Sequence, residues 1–198
     1  MAETLKLYSL SSLVDYLKSG ADERGYLFIS VISPTEVKVY SSLNERRERE
    51  KIVSVMAMVP DFLTERFVDK EEFIIRLQSL CIDNPDKAAL LSFAGTVESN
   101  TIAEYGDDGI SQKGTIRKGL TGKEDALVPN PVSLKPFKTF QEIDQPEIRY
   151  IFRMRESRGI ECGLFEADGE IWKNVACGRI KEYLQRELEG VENITILA

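Results

Sequence analysis

At 198 residues, with 42% hydrophobic and 30% charged side chains, the chain is long enough to bury about 70% of its unfolded surface and lies far from the disordered class. Its net charge of −7 opposes general attachment to nucleic acid or to an anionic membrane, and no apolar run approaches the roughly 18 residues of a membrane span. The absence of histidine excludes Ser-His-Asp and Cys-His nucleophiles, the usual zinc sites and any imidazole proton relay, so an enzyme would have to work with carboxylates, Lys, Tyr or Cys.

Leu10, Leu13, Val14 and Leu17 recur at helical spacing before Gly20 and predict a first amphipathic helix over Ser9 to Lys18. Three β-rich runs follow, Tyr26 to Ile32, Glu36 to Tyr40 and Ile52 to Val59, with Ser33-Pro34 as a tight connection between the first two. Between the second and third, Asn44 to Lys51 holds seven charges in eight residues and reads as a solvated loop or frayed turn. Asp69 and Glu72 form a capping-box pattern ahead of Phe73, Leu77, Leu80 and Cys81, predicting a second helix. Asn84-Pro85 opens a third, expected to stop at Gly95. A DNA-reading helix-turn-helix is disfavoured there, because the later helix offers only Lys87 where a groove-reading helix needs several polar and basic side chains.

Thr96 to Gly119 reads as a polar hairpin around Asp108-Gly109, whose two-residue loop would set Glu104 opposite Lys113 and Ile102 opposite Thr115. Leu120 to Pro136 continues as a long loop. In "EIRYIFRMR", Ile148, Tyr150, Phe152 and Met154 alternate with Arg149, Arg153 and Arg155, the pattern of a half-buried strand. A three-residue loop at Ser157-Arg158-Gly159, with Gly159 left-handed, then places Met154 opposite Cys162 and Arg155 opposite Glu161. Trp172, Val175, Ala176, Ile180, Tyr183, Leu184 and Leu188 mark a last helix, and "ITILA" a closing strand.

The carboxylates at Glu166, Asp168 and Glu170 are read as a strand-to-helix junction, Asp168 capping the helix and Glu170 in its first turn, rather than as a catalytic cluster. Glu36-Val37-Lys38 is the one candidate for catalysis. In restriction-endonuclease-type nucleases an Asp and a Glu-x-Lys on adjacent strands hold Mg²⁺ and steady the attacking water or phosphate. Here no Asp lies between the first strand and Glu36, and alternating exposed charges explain the tripeptide equally well. Phosphate-binding glycine loops are absent, the three cysteines lack metal-ligand spacing and read as reduced core residues, and neither cofactor nor metal is expected. The basic cluster Arg46, Arg47, Arg49 and Lys51 is balanced by Glu45, Glu48 and Glu50. Arg149, Arg153, Arg155 and Arg158 are less balanced and are the better candidates for an anionic partner.

The wording of "EVKVYSSLNERRERE", "DKEEFIIRLQS", "YGDDGISQKG" and "VPNPVSLKPFKTF", and the step from "RYIFRMR" to "GLFEADGEIWK", resembles the YfdQ-like group of bacteriophage and prophage proteins. The family brings no agreed activity, so no residue role is carried over. The resemblance implies a small protein acting in the cytoplasm of an infected or lysogenic bacterium, and makes interaction with a host or phage macromolecule more expected than metabolism.

These readings converge on a single α+β domain over residues 1–198, a mainly antiparallel sheet flanked by helices near Leu10, Phe73 and Trp172, with the polar hairpin and long loop at about 98–130. The expected function is noncatalytic binding of a host or phage protein, or of a small anionic ligand, including interference with a host process or defence. Nucleic acid and membrane are not expected partners. The expected binding residues are Glu104, Asp107, Asp108 and Lys113 on the hairpin with Arg149, Arg153, Arg155 and Arg158, and strand addition at an edge would give a homodimer. The alternatives are a divalent-metal nuclease or other phosphodiester enzyme using Glu36 and Lys38, and a phage assembly accessory.

Overall fold

The computed structural model describes residues 3–20, 25–97, 105–107, 112–117, 123–127 and 130–198, with the backbone alone for 105–107, 112–117 and 123–127. Among the described residues, four helices and a majority of antiparallel strands make this an α+β protein. The chain separates into two compact units: residues 1–60, 138–146 and 171–198 form the first, and 61–137 and 147–170 the second.

In the first unit the sheet runs in the order β1 (Leu5–Leu7), β4 (Lys51–Met56), β3 (Glu36–Ser41), β2 (Leu27–Ser33), β13 (Ile194–Leu197). Its central strands pair antiparallel, while β1 on β4 and β13 on β2 are parallel. One face is built from Leu27, Ile29, Val31, Val37, Val39, Val53 and Val55, the inward positions of period-two strands. Onto them pack Leu10, Leu13, Val14 and Leu17 of α1 (Leu10–Ser19) and Ile180 and Leu184 of α4 (Ile171–Glu187). Ser9 caps α1 through its side chain, and Gly20 ends it with φ 60°, a conformation that excludes most side chains. The segment 138–146 is tied down by Gln145, whose Oε1 accepts the backbone N–H groups of Lys138 and Thr139, and it sends Phe140 and Ile143 into the core. The charged run is the solvated loop expected from residue 44 to 50, with Lys51 already opening β4, and it is closed by Asn44, whose Oδ1 accepts from the amides of Arg46 and Glu48.

In the second unit an antiparallel sheet is ordered β5 (Arg66–Asp69), β12 (Ile160–Glu166), β11 (Ile148–Glu156), β10 (Val132–Pro136), β6 (Cys81–Ile82). One face is covered by α2 (Lys70–Ser79) and α3 (Pro85–Thr96), with Phe152 held between Phe73 at 5.7 Å and Phe93 at 6.0 Å. Asp69 and Asn84 cap the two helices as their positions require. A separate antiparallel ribbon comprises β7 (Tyr105–Asp107), β8 (Gln112–Arg117) and β9 (Lys123–Leu127).

Several local expectations are corrected. β4 ends at Met56, short of Val59. α3 carries through Gly95 to Thr96, whose hydroxyl turns back onto the carbonyls of Ser92 and Phe93 and satisfies the last turn. The stretch from Leu120 to Pro136 contains β9 and β10 rather than one long loop. The ribbon's register places Lys113 opposite Gly106, not Glu104, and Asp107 opposite Gln112. A slip of two residues keeps every side chain on its face, so alternation could not distinguish the registers. Gly159 closes its loop with φ 159° instead of entering the left-handed helical well. Glu170 stands before α4 with φ 65°, its N–H bound to the Asp168 carboxylate, so neither residue fills the helical position expected of it.

Candidate anion-binding face

The alternation of β11 decides the geometry: with Ile148, Tyr150, Phe152 and Met154 buried, Arg149, Ile151, Arg153 and Arg155 fall on the opposite face. Antiparallel pairing then sets their neighbours. Ile151 lies opposite Phe165, Arg153 opposite Gly163 and Arg155 opposite Glu161, the last placed, like Met154 opposite Cys162, as the hairpin reading required. One strand further, Gly163 pairs with Phe67 of β5.

Gly163 is glycine because two rings lean across it. A Cβ there would lie 3.0 Å from the Arg66 carbonyl oxygen and 3.1 and 3.2 Å from the Phe165 and Phe67 rings. Those rings pack at 5.4 Å between centroids, and the Arg155 guanidinium lies 4.1 Å above Phe67 while its Nε contacts Glu161 Oε2 at 2.6 Å. Arg155 is therefore already neutralised and oriented. Arg153, half-buried, donates to the Phe152 carbonyl at 2.9 Å. Arg149 and Arg158 are exposed, and among the described residues neither guanidinium meets a carboxylate. The face thus combines a fixed Arg-aromatic stack with two uncommitted cations at opposite ends of β11 and its loop.

Of the other candidates, Glu104 and Asp108 lie outside the described residues, and for Asp107 and Lys113 only the backbone positions in β7 and β8 are described. Glu36 and Lys38 share one face of β3 and pair with each other at 2.8 Å; the hydrogen bond to Glu36 raises the lysine pKa, with desolvation opposing it. The cross-strand neighbours of Lys38 are Ser30 and Ser54, and Glu36 faces Met56, so these strands bring no second carboxylate opposite the pair. Among the described residues no three His, Cys, Asp or Glu side chains converge as a metal site. Lys87, the residue weighed for groove reading, is buried and spends its ammonium on three internal acceptors.

Sequence reasoning missed Phe67, because β5 is four residues long and sits inside the polar context "TERFVDK". Gly163 within a strand was the available signal, since an interior glycine often marks close approach of a neighbour. No helix among the described residues is long and apolar enough to cross a membrane. No protein-family model, curated protein or solved structure matches the chain.

Proposed function

We propose that the chain is a noncatalytic binding protein of phage or prophage origin, which engages carboxylate or phosphate groups of a host or phage protein, or of a small anionic ligand, through the outer face of β11 and β12. The observation that carries this reading is the pair Arg149 and Arg158, exposed and without an acidic partner among the described residues, in a chain whose net charge is −7. Exposed guanidinium groups without a carboxylate partner keep their charge for an incoming anion, and their planar forks suit bidentate oxygens. The Arg155-Phe67-Phe165 layer beside them supplies flat apolar area with little side-chain freedom left to lose. Blocking a host process fits such a surface, since occupation of a partner requires no chemistry.

The test is titration calorimetry with a hexaglutamate peptide and, separately, with inorganic phosphate, using wild type and Arg149→Glu with Arg158→Glu. Binding that weakens at least tenfold in the double variant, and weakens with added salt, supports the reading. Binding unchanged by charge reversal, or no binding of either probe, overturns it.

A further inference from the structure

Natural sheets guard their edges with charge, proline, glycine or brevity. Among the described residues every edge strand but β13 follows that rule: β1 carries Lys6, β5 carries Arg66 and Asp69, β9 carries Lys123, Glu124 and Asp125, β7 contains Gly106 and Asp107, and β6 has two residues. β13, Ile194-Thr195-Ile196-Leu197, carries no charge, proline or glycine, and Leu197 is half exposed.

The direction of its backbone groups is set by its pairing. Ile194 lies opposite Leu27 in a parallel ladder, and the Leu27 N–H donates to the Asn193 carbonyl. In that pattern Asn193, Thr195 and Leu197 address β2, while Ile194 and Ile196 turn both N–H and C=O outward. No backbone group among the described residues bonds to that outer side.

We infer that β13 is a homodimerisation edge, pairing antiparallel with β13 of a second copy of this chain about a two-fold axis at Thr195. This register sets Ile194 opposite the partner's Ile196 and Ile196 opposite the partner's Ile194. It makes hydrogen-bonded pairs of the two residues whose groups point outward and keeps both isoleucines on the core side of the joined sheet. Thr195 meets the partner's Thr195 on the other side as a non-hydrogen-bonded pair, a favourable cross-strand contact. Its hydroxyl is already held 2.8 Å from the Tyr26 hydroxyl, so the side chain is positioned beforehand. An isologous contact needs a strand that can face itself without like charges opposed, and β13 has no charge to oppose.

Four proteins test this, by sedimentation velocity over a dilution series and by cross-linking: wild type, Thr195→Lys, and Thr195→Cys and Lys6→Cys each in a Cys177→Ser background, with circular dichroism confirming the fold. Wild type is expected to dimerise, and Thr195→Lys to be monomeric because two ammonium groups meet at the axis. Thr195→Cys is expected to form a disulfide-linked dimer on mild oxidation, since Cα atoms about 4.5 Å apart in such a pair suit a disulfide. Lys6→Cys in the same background, on the opposite edge, is expected not to cross-link. A monomeric wild type overturns the inference. So does a dimer that survives Thr195→Lys and fails to cross-link at position 195.

Discussion

Lys87 shows how much a single side chain can commit. It is 4% exposed, and its ammonium donates to the Cys81 carbonyl at 2.6 Å, the Asp83 carboxylate at 2.7 Å and the Gln78 carbonyl at 3.0 Å, so all three N–H groups are used. The two carbonyls belong to the end of α2 and the strand after it, where backbone acceptors lack helical partners. Lys87 is therefore a clamp between consecutive elements. Lys87→Met keeps the length and apolar stem but orphans those carbonyls, and should destabilise by about 1 to 3 kcal/mol. A urea titration should show a lower midpoint with an unchanged slope; an unchanged midpoint would show that water replaces the ammonium without loss. Burial acts on the thiols as well, holding Cys162 protonated by pushing its pKa up to about 12, which makes it a core residue and not a nucleophile.

At the scale of elements, α4 carries Trp172, Ala176, Ile180 and Leu184 inward, while Val175, which the same periodicity assigned to the apolar face, is exposed. Seven apolar positions span a wider arc than one sheet contact buries, so the neighbouring surface selects among them. Trp172 is 8% exposed, with the Lys138 ammonium 5.1 Å from its ring centroid. Trp172→Ala should cost about 3 to 5 kcal/mol in a denaturant titration, the loss expected for a large buried ring. A loss below about 1 kcal/mol would mean that the site collapses around the smaller side chain. β3 gives the complementary case: Val37 and Val39 are buried, and Glu36 and Lys38 answer each other across the open face. On the reading of that pair as an ion pair, wild-type protein with Mg²⁺ or Mn²⁺ should leave single- and double-stranded DNA and RNA intact in a gel assay. Cleavage that is lost in Glu36→Gln with the fold retained would reverse the assignment.

Across the whole molecule, the sequence by itself determined what depends on short-range geometry. Helix α1 from Ser9 to Gly20, the caps at Asp69 and Asn84, the alternation of β11 and its hairpin register with β12 all follow from periods of 3.6 and 2 and from residues a few positions apart. Those periods are properties of the backbone, and any chain obeying them displays them locally. Tertiary structure decided everything that depends on partners distant in the chain. It divided residues 1–198 into two units built from interleaved segments, assigned β13 to β2 in parallel, and carried Phe67 to Gly163 and Phe165. It also separated four similar arginines into one paired with Glu161, one bound to a carbonyl and two left uncommitted. The reason is physical: strand pairing and ring packing join groups about a hundred residues apart as readily as neighbours, because loop closure grows costlier only logarithmically with separation.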